Sequence, residues 1–282
     1  MRLWQWGIYA LLLSVLLVLV VSLFDAGFRS QLKSKVEVSR LDGLPDDTLI
    51  VYLPGLVADG QWSVRNLVGS WRHYGDVWLV NPTGDRFRPD QVVNEVVTQL
   101  EDDSHRRVIF IGSSLGAHLA TDVMARLTPS KRESTLFGLI AVCAPGGGID
   151  DIEQPLQALS GIAKMFRFGP LANLTWGKLF TRSITGKQPR TFAMTYYIDQ
   201  VNYVRTHGAP SQAALDGVEV VYLQAERDEI VASTAAYAWR DAAGESFDVI
   251  QVNSKHVAYD ADPVTWENVI RAQLNWFNRN MQ

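Results

Sequence analysis

Residues 112–116 read Gly-Ser-Ser-Leu-Gly, a G-x-S-x-G pattern with Ser114 at its centre. A serine on a sharp strand-to-helix turn takes strained backbone angles, so that its hydroxyl projects clear of the sheet. Residues two positions to either side come close enough that glycine best avoids a clash. The helix that follows aims its first amides at an oxygen that becomes negative during acyl transfer. Ser113, the neighbouring hydroxyl, reads as a turn residue.

A serine hydroxyl is a weak nucleophile without a base, and the chain has five histidines to supply one. His73 ends a helical stretch, His105 sits in a polar loop and His207 closes a long helical region. His118 lies one turn past Ser114 and faces away from it. His256, in "VNSKHVAYD", follows the last apolar strand, on the edge where a parallel sheet gathers its functional loops. It is the candidate base. Its partner carboxylate is Asp228 in "LQAERDEIVAS", just past the preceding strand, with Glu226 and Glu229 read as solvated neighbours. The order Ser114, Asp228, His256 suits a nucleophile, acid and base on a parallel α/β sheet.

Those residues need a scaffold, and the hydropathy pattern describes one. Apolar runs at 48–53, 76–80, 107–111, 136–144, 218–225 and 247–252 read as strands, with an edge strand at 36–41. Between them lie helical spacings, notably 89–101, where Val92, Val93, Val96, Val97 and Leu100 share a face. The helix after the 107–111 strand presents Ala117, Ala120, Met124 and Leu127. A closing helix has Asp262 at its N-cap and Pro263 in its first turn. Strands alternating with helices predict an α/β fold, with a mostly parallel central sheet covered by helices on both faces. The alternation breaks over residues 147–216, which read as a helical lid insertion rich in large apolar groups from Met165 to Tyr197. "GGG" at 146–148 reads as its hinge.

These features together resemble the α/β-hydrolase superfamily over roughly residues 46–282. "YLPGLVADG" is similar to that family's oxyanion loop, with Pro54 where histidine is common, and "AERDEIVAS" to its acid loop. "VNPTGDR" resembles the loop after its fourth strand. The resemblance implies backbone N–H donors at Leu56 and Leu115 that hold the oxyanion. It also implies a Ser114–His256–Asp228 triad working through an acyl-enzyme, with no cofactor and no metal. The implied reaction is cleavage of a carboxylic ester, with the apolar lid favouring a hydrophobic or lipid-like substrate. An acyltransferase or thioesterase of the same mechanism, or a non-catalytic binding protein on this fold, are the alternatives.

Composition narrows the partners. A net charge of −4 without a basic run excludes a nucleic-acid footprint, and the single cysteine, Cys143, excludes an intrachain disulfide. From Leu3 to Phe24 the chain carries no formal charge. As a helix that stretch would span about 33 Å, enough to cross a hydrocarbon core. It reads as an uncleaved transmembrane anchor (residues 1–24) rather than a signal peptide, because no small-x-small cleavage site follows it. Residues 25–45 then form a juxtamembrane linker and edge strand. The expectation is a single-pass membrane protein with the side of its catalytic domain left open.

Overall fold

The structure, a computed structural model, describes residues 13–16, 20, 32–44, 47–56, 58–147, 194–257, 259 and 261–281. Its centre is a seven-stranded sheet in the order β1-β3-β2-β4-β5-β6-β7. The strands are β1 (Ser34–Leu41), β2 (Thr48–Leu53), β3 (Asp76–Gly84), β4 (Arg107–Ser113), β5 (Leu136–Val142), β6 (Val218–Arg227) and β7 (Phe247–Lys255). β1 runs antiparallel to β3, and every other pairing is parallel. Among the described residues the helices longer than two turns are α1 (Pro89–Glu101), α2 (Leu115–Arg126), α3 (Met194–Thr206), α4 (Ala235–Ala243) and α5 (Pro263–Asn280).

The continuous apolar runs arise because the central strands are covered on both sides. Leu49, Val51, Val108, Phe110 and Leu139 face one core with Val92, Val96 and Leu100 of α1 and most of α2. Their neighbours Ile50, Tyr52, Ile109, Ile111 and Ile140 face a second core with Trp71 and with Trp266, Ile270, Leu274 and Phe277 of α5. Alternate side chains leave opposite faces of a strand, so both sets must be apolar. The parallel order also brings the ends of β4, β5, β6 and β7 to one edge, where a doubly covered sheet places its ligands.

Several boundaries differ from those expected. β3 continues through Asn81-Pro82-Thr83-Gly84, which the sequence reading assigned to a loop. This extension runs beyond β2, whose pairing with β3 ends at Tyr52↔Leu79, and pairs with β1 from Val38↔Val80 to Ser34↔Gly84. With β1 as its one partner there, the missing N–H of Pro82 is tolerated, as at a sheet edge. Cys143 and Ala144 fall outside β5. Asp262 is the N-cap of α5 and Pro263 its first residue, but the Asp262 side chain makes no capping hydrogen bond.

The N-terminal expectation is corrected. Among the described residues no helix is long and apolar enough to cross a membrane. Of the stretch 3–24 only residues 13–16 and 20 are described, as helix, and the rest lies outside the described residues. A crossing needs about 20 consecutive apolar helical residues. Among the described residues no such run is found, and the transmembrane helix, the single-pass anchor and the membrane localisation are not carried further. Most of the expected lid, residues 148–193, also lies outside the described residues. Its described remainder includes α3, held against the end of β3. Arg86 donates to both carboxylate oxygens of Asp199, at 2.5 and 3.0 Å, and the Tyr196 hydroxyl donates to the Pro82 carbonyl. Tyr196 and Tyr197 are therefore buried in the core.

Candidate active site

Ser114 stands between β4 and α2 with φ +51° and ψ −117°, far from the angles an L-residue prefers. Its neighbours enforce the turn. A Cβ on Gly112 would lie 2.4 Å from Ala117 Cα, and one on Gly116 would lie 2.1 Å from the Leu53 carbonyl oxygen. Nothing larger than glycine fits either position without moving backbone. The glycine-fenced motif thus reflects the packing of α2 against the ends of β4 and β2. Ser114 is 8% exposed, and its N–H donates to the Val142 carbonyl at 2.7 Å. The loop after β2 passes close by, for a Cβ on Gly55 would lie 3.4 Å from Ser114 Cβ. Leu56 follows in that loop, and Leu115 is the first residue of α2.

Asp228 and His256 meet at the ends of β6 and β7. His256 Nδ1 donates to the Asp228 carboxylate, at 3.0 Å from Oδ1 and 2.9 Å from Oδ2. The same carboxylate accepts from the amides of Ile230 and Val231, each at 2.9 Å. This explains the Asp-Glu-Ile-Val spacing: the turn points two amides back at the side chain that opens it. The Asp228 side chain is 2% exposed and that of His256 13%. Burial pushes the carboxyl pKa up, but the hydrogen bond and charge of His256, with those two amides, more than offset it. The net shift is below the ordinary aspartate value. With Nδ1 engaged by Asp228, Nε2 is the other ring nitrogen, and among the described residues no hydrogen bond to it is found.

Next to the carbonyl that receives the Ser114 amide is Cys143, whose Sγ lies within 4.8 Å of both an Asp228 oxygen and a His256 nitrogen. Ser113 Oγ lies 2.6 Å from the hydroxyl of Tyr259, three residues beyond His256. The His256 hydrogen bonds go to Asp228; among the described residues none joins it to Ser114. Cys143, Asp228 and His256 form the one grouping of metal-type donors among the described residues. Burial first, then the Asp228 charge, raises the Cys143 thiol pKa to about 12, which keeps it protonated rather than poised as a thiolate ligand.

The other histidines have partners of their own or lie at the surface. His118 is buried, with its ring 4.7 Å from that of His207 and 5.4 Å from Trp239. Burial, with a smaller push from His207, lowers its pKa to about 3, so it stays neutral. His207 lies 3.6 Å from Asp122, His105 pairs with Asp103 and His73 is exposed. Glu226 is exposed, and Glu229 pairs with Lys255 at the surface. Sequence reasoning did miss three groups: Cys143, Tyr259 and the buried role of Ser113. None of the three had a legible signal: in sequence Ser113 looks like any turn serine, since its partner Tyr259 is 146 positions away.

A family model described as the alpha/beta hydrolase family matches residues 43–267. No curated protein sequence matches the chain. Among solved structures, an enol-lactonase from Burkholderia xenovorans superposes with a TM-score of 0.61 at 12% identity, over 86% of this chain and 97% of that one. An esterase from Exiguobacterium antarcticum gives 0.61 at 14% identity, over 86% and 96%. A monoacylglycerol lipase from Paleococcus ferrophilus gives 0.58 at 13% identity, over 86% and 98%. At these identities the structures speak for the fold alone.

Proposed function

The chain belongs to the alpha/beta hydrolase family, and on that premise we propose that it is a serine hydrolase cleaving a carboxylic ester. Ser114 is the nucleophile, His256 the general base and Asp228 the carboxylate that orients it. The observation that carries this reading is the buried Asp228–His256 pair. It lies on the same sheet edge as a serine held in a strained turn.

In the reaction so read, Ser114 Oγ attacks the acyl carbonyl while His256 Nε2 takes its proton. Asp228 holds Nδ1–H and stabilises the imidazolium. The amides of Leu56 and Leu115 receive the oxyanion, each donor contributing about 3 kcal/mol to the transition state. His256 then gives its proton to the departing alkoxide. Water, deprotonated by the same imidazole, attacks the acyl-enzyme; the acid leaves and Ser114 regains its proton. A hydrogen bond between Ser114 and His256 commonly tightens only when substrate is bound. The hydrophobic acyl group is part of this reading and rests on the many large apolar residues of the sequence between Met165 and Tyr197.

The test is hydrolysis of chromogenic esters graded by acyl length, with Ser114→Ala as control. Turnover that rises with a few added methylenes and vanishes in the variant is expected. Equal turnover by a folded Ser114→Ala variant would end the proposal.

A further inference from the structure

Among the described residues, three non-glycine residues have positive φ: Ser114, Cys143 and Val257. All three border the candidate site. Ser114 is explained by the elbow, and Cys143 by the exit from β5 beside Asp228. Val257, next to His256, has φ +42°. A β-branched side chain is a marked outlier there, and such strain, of about 1–3 kcal/mol, persists only where the surroundings fix the backbone.

Tyr259 does the fixing. Its N–H donates to the Val257 carbonyl at 2.8 Å, closing the bend. Its ring packs edge-on against Trp266 of α5, 5.4 Å between centroids. Its hydroxyl meets Ser113 Oγ at 2.6 Å, although the two residues are 146 positions apart in the chain. Ser113 is fully buried and Tyr259 nearly so. Removing the Ser113 hydroxyl leaves the buried Tyr259 hydroxyl without this bond, whereas Ser113 Oγ also bonds the Tyr52 hydroxyl and keeps that partner if Tyr259 loses its own. Burial also raises the tyrosine pKa well above its usual range, so this bond does not switch with pH. Tyr52 of β2 adds a further hydroxyl, 3.2 Å from Ser63 Oγ.

The bond therefore joins the residue before Ser114 to the loop that carries His256. We propose that Ser113 and Tyr259 are positioning residues: their hydrogen bond sets the His256 ring against Asp228 and at working distance from Ser114, and holds the strained Val257 bend in place. The inference rests on the reading of Ser114 and His256 as catalytic.

The first variant is Tyr259→Phe, which keeps the ring and removes the hydroxyl. Its kcat on a short-chain ester should fall about 10-fold, with KM changed less than about two-fold, the size of one lost buried hydrogen bond. Ser113→Ala, a smaller change, should do the same, and the double variant should be no worse than the poorer single. In proton NMR, the downfield His256 Nδ1 proton bonded to Asp228 should broaden in both singles, at a temperature where circular dichroism shows them folded. A merely structural bond would lower the melting temperature while leaving kcat per folded molecule and that proton signal unchanged, and this result overturns the proposal. If the wild-type protein cleaves no ester, the hydrolase reading fails. The His256 signal still decides the positioning role.

Discussion

Replacing Asp228 by asparagine should leave the backbone where it is and reverse one hydrogen bond. Among the described residues the Asp228 carboxylate accepts from His256 Nδ1 and from the amides of Ile230 and Val231. In Asp228→Asn the single carbonyl oxygen is claimed by the two amides, which are fixed in the turn. The new NH2 group then faces His256 Nδ1, donor against donor. The ring relieves this by moving its proton to Nε2, the atom that must accept from Ser114. Loss of a charge-assisted bond is worth about 1.5–3 kcal/mol, and the wrong tautomer adds to it. A fall in kcat of about 10³–10⁴-fold is expected, in line with the roughly 10⁴-fold loss for the same change in serine proteases with this triad. Stability should respond with a defined sign. The folded-state pKa of Asp228 lies below its unfolded value. Its stabilising contribution is thus present above about pH 4, and is lost as pH falls through the folded value. Asp228→Asn should be less stable than wild type at pH 7, and the gap should close in acid. Initial rates on a chromogenic ester, with urea melts at pH 7 and pH 3.5, measure both. A kcat within 10-fold of wild type, with Glu226→Gln or Glu229→Gln more damaging, would refute the assignment.

Other outcomes follow from the same geometry. His118 is held neutral to about pH 3 in the fold, against 6.5 ordinarily. The unfolded chain therefore binds the extra proton below pH 6.5, and stability falls as pH drops from there toward 3. Between pH 6.5 and 5 this amounts to about 2 kcal/mol, and urea midpoints of His118→Gln should show a flatter pH dependence than wild type. Gly116→Ala drives a Cβ to 2.1 Å from the Leu53 carbonyl oxygen and should cost about 3 kcal/mol or more in thermal melts. Gly69→Ala, on a short helical turn with nothing within 4 Å, should be neutral or slightly stabilising.

The sheet was legible because its strands are buried on both faces, so that runs such as Thr48–Leu53 and Arg107–Ile111 announce themselves. Boundaries set by a partner strand were not. The length of β3 depends on where β1 lies, and nothing in "NPTG" reports that. Which loops meet was readable, since a parallel sheet fixes it, and Asp228 and His256 stand just past the ends of β6 and β7 with a hydrogen bond between them. Ser113 was misread because its value is tertiary: a serine in a turn and a serine bonded to a tyrosine 146 residues away look alike in sequence. The apolar N-terminal stretch satisfied a hydropathy rule, yet no spanning helix is found among the described residues.

The central claim is that Ser114 is activated by its imidazole and carboxylate partners, and covalent labelling tests it most directly. A fluorophosphonate probe, followed by intact mass and peptide mapping, should place one adduct on Ser114 in the wild-type protein and none in His256→Ala. A folded wild-type protein that stays unlabelled, or that carries its adduct on another residue, would contradict the account.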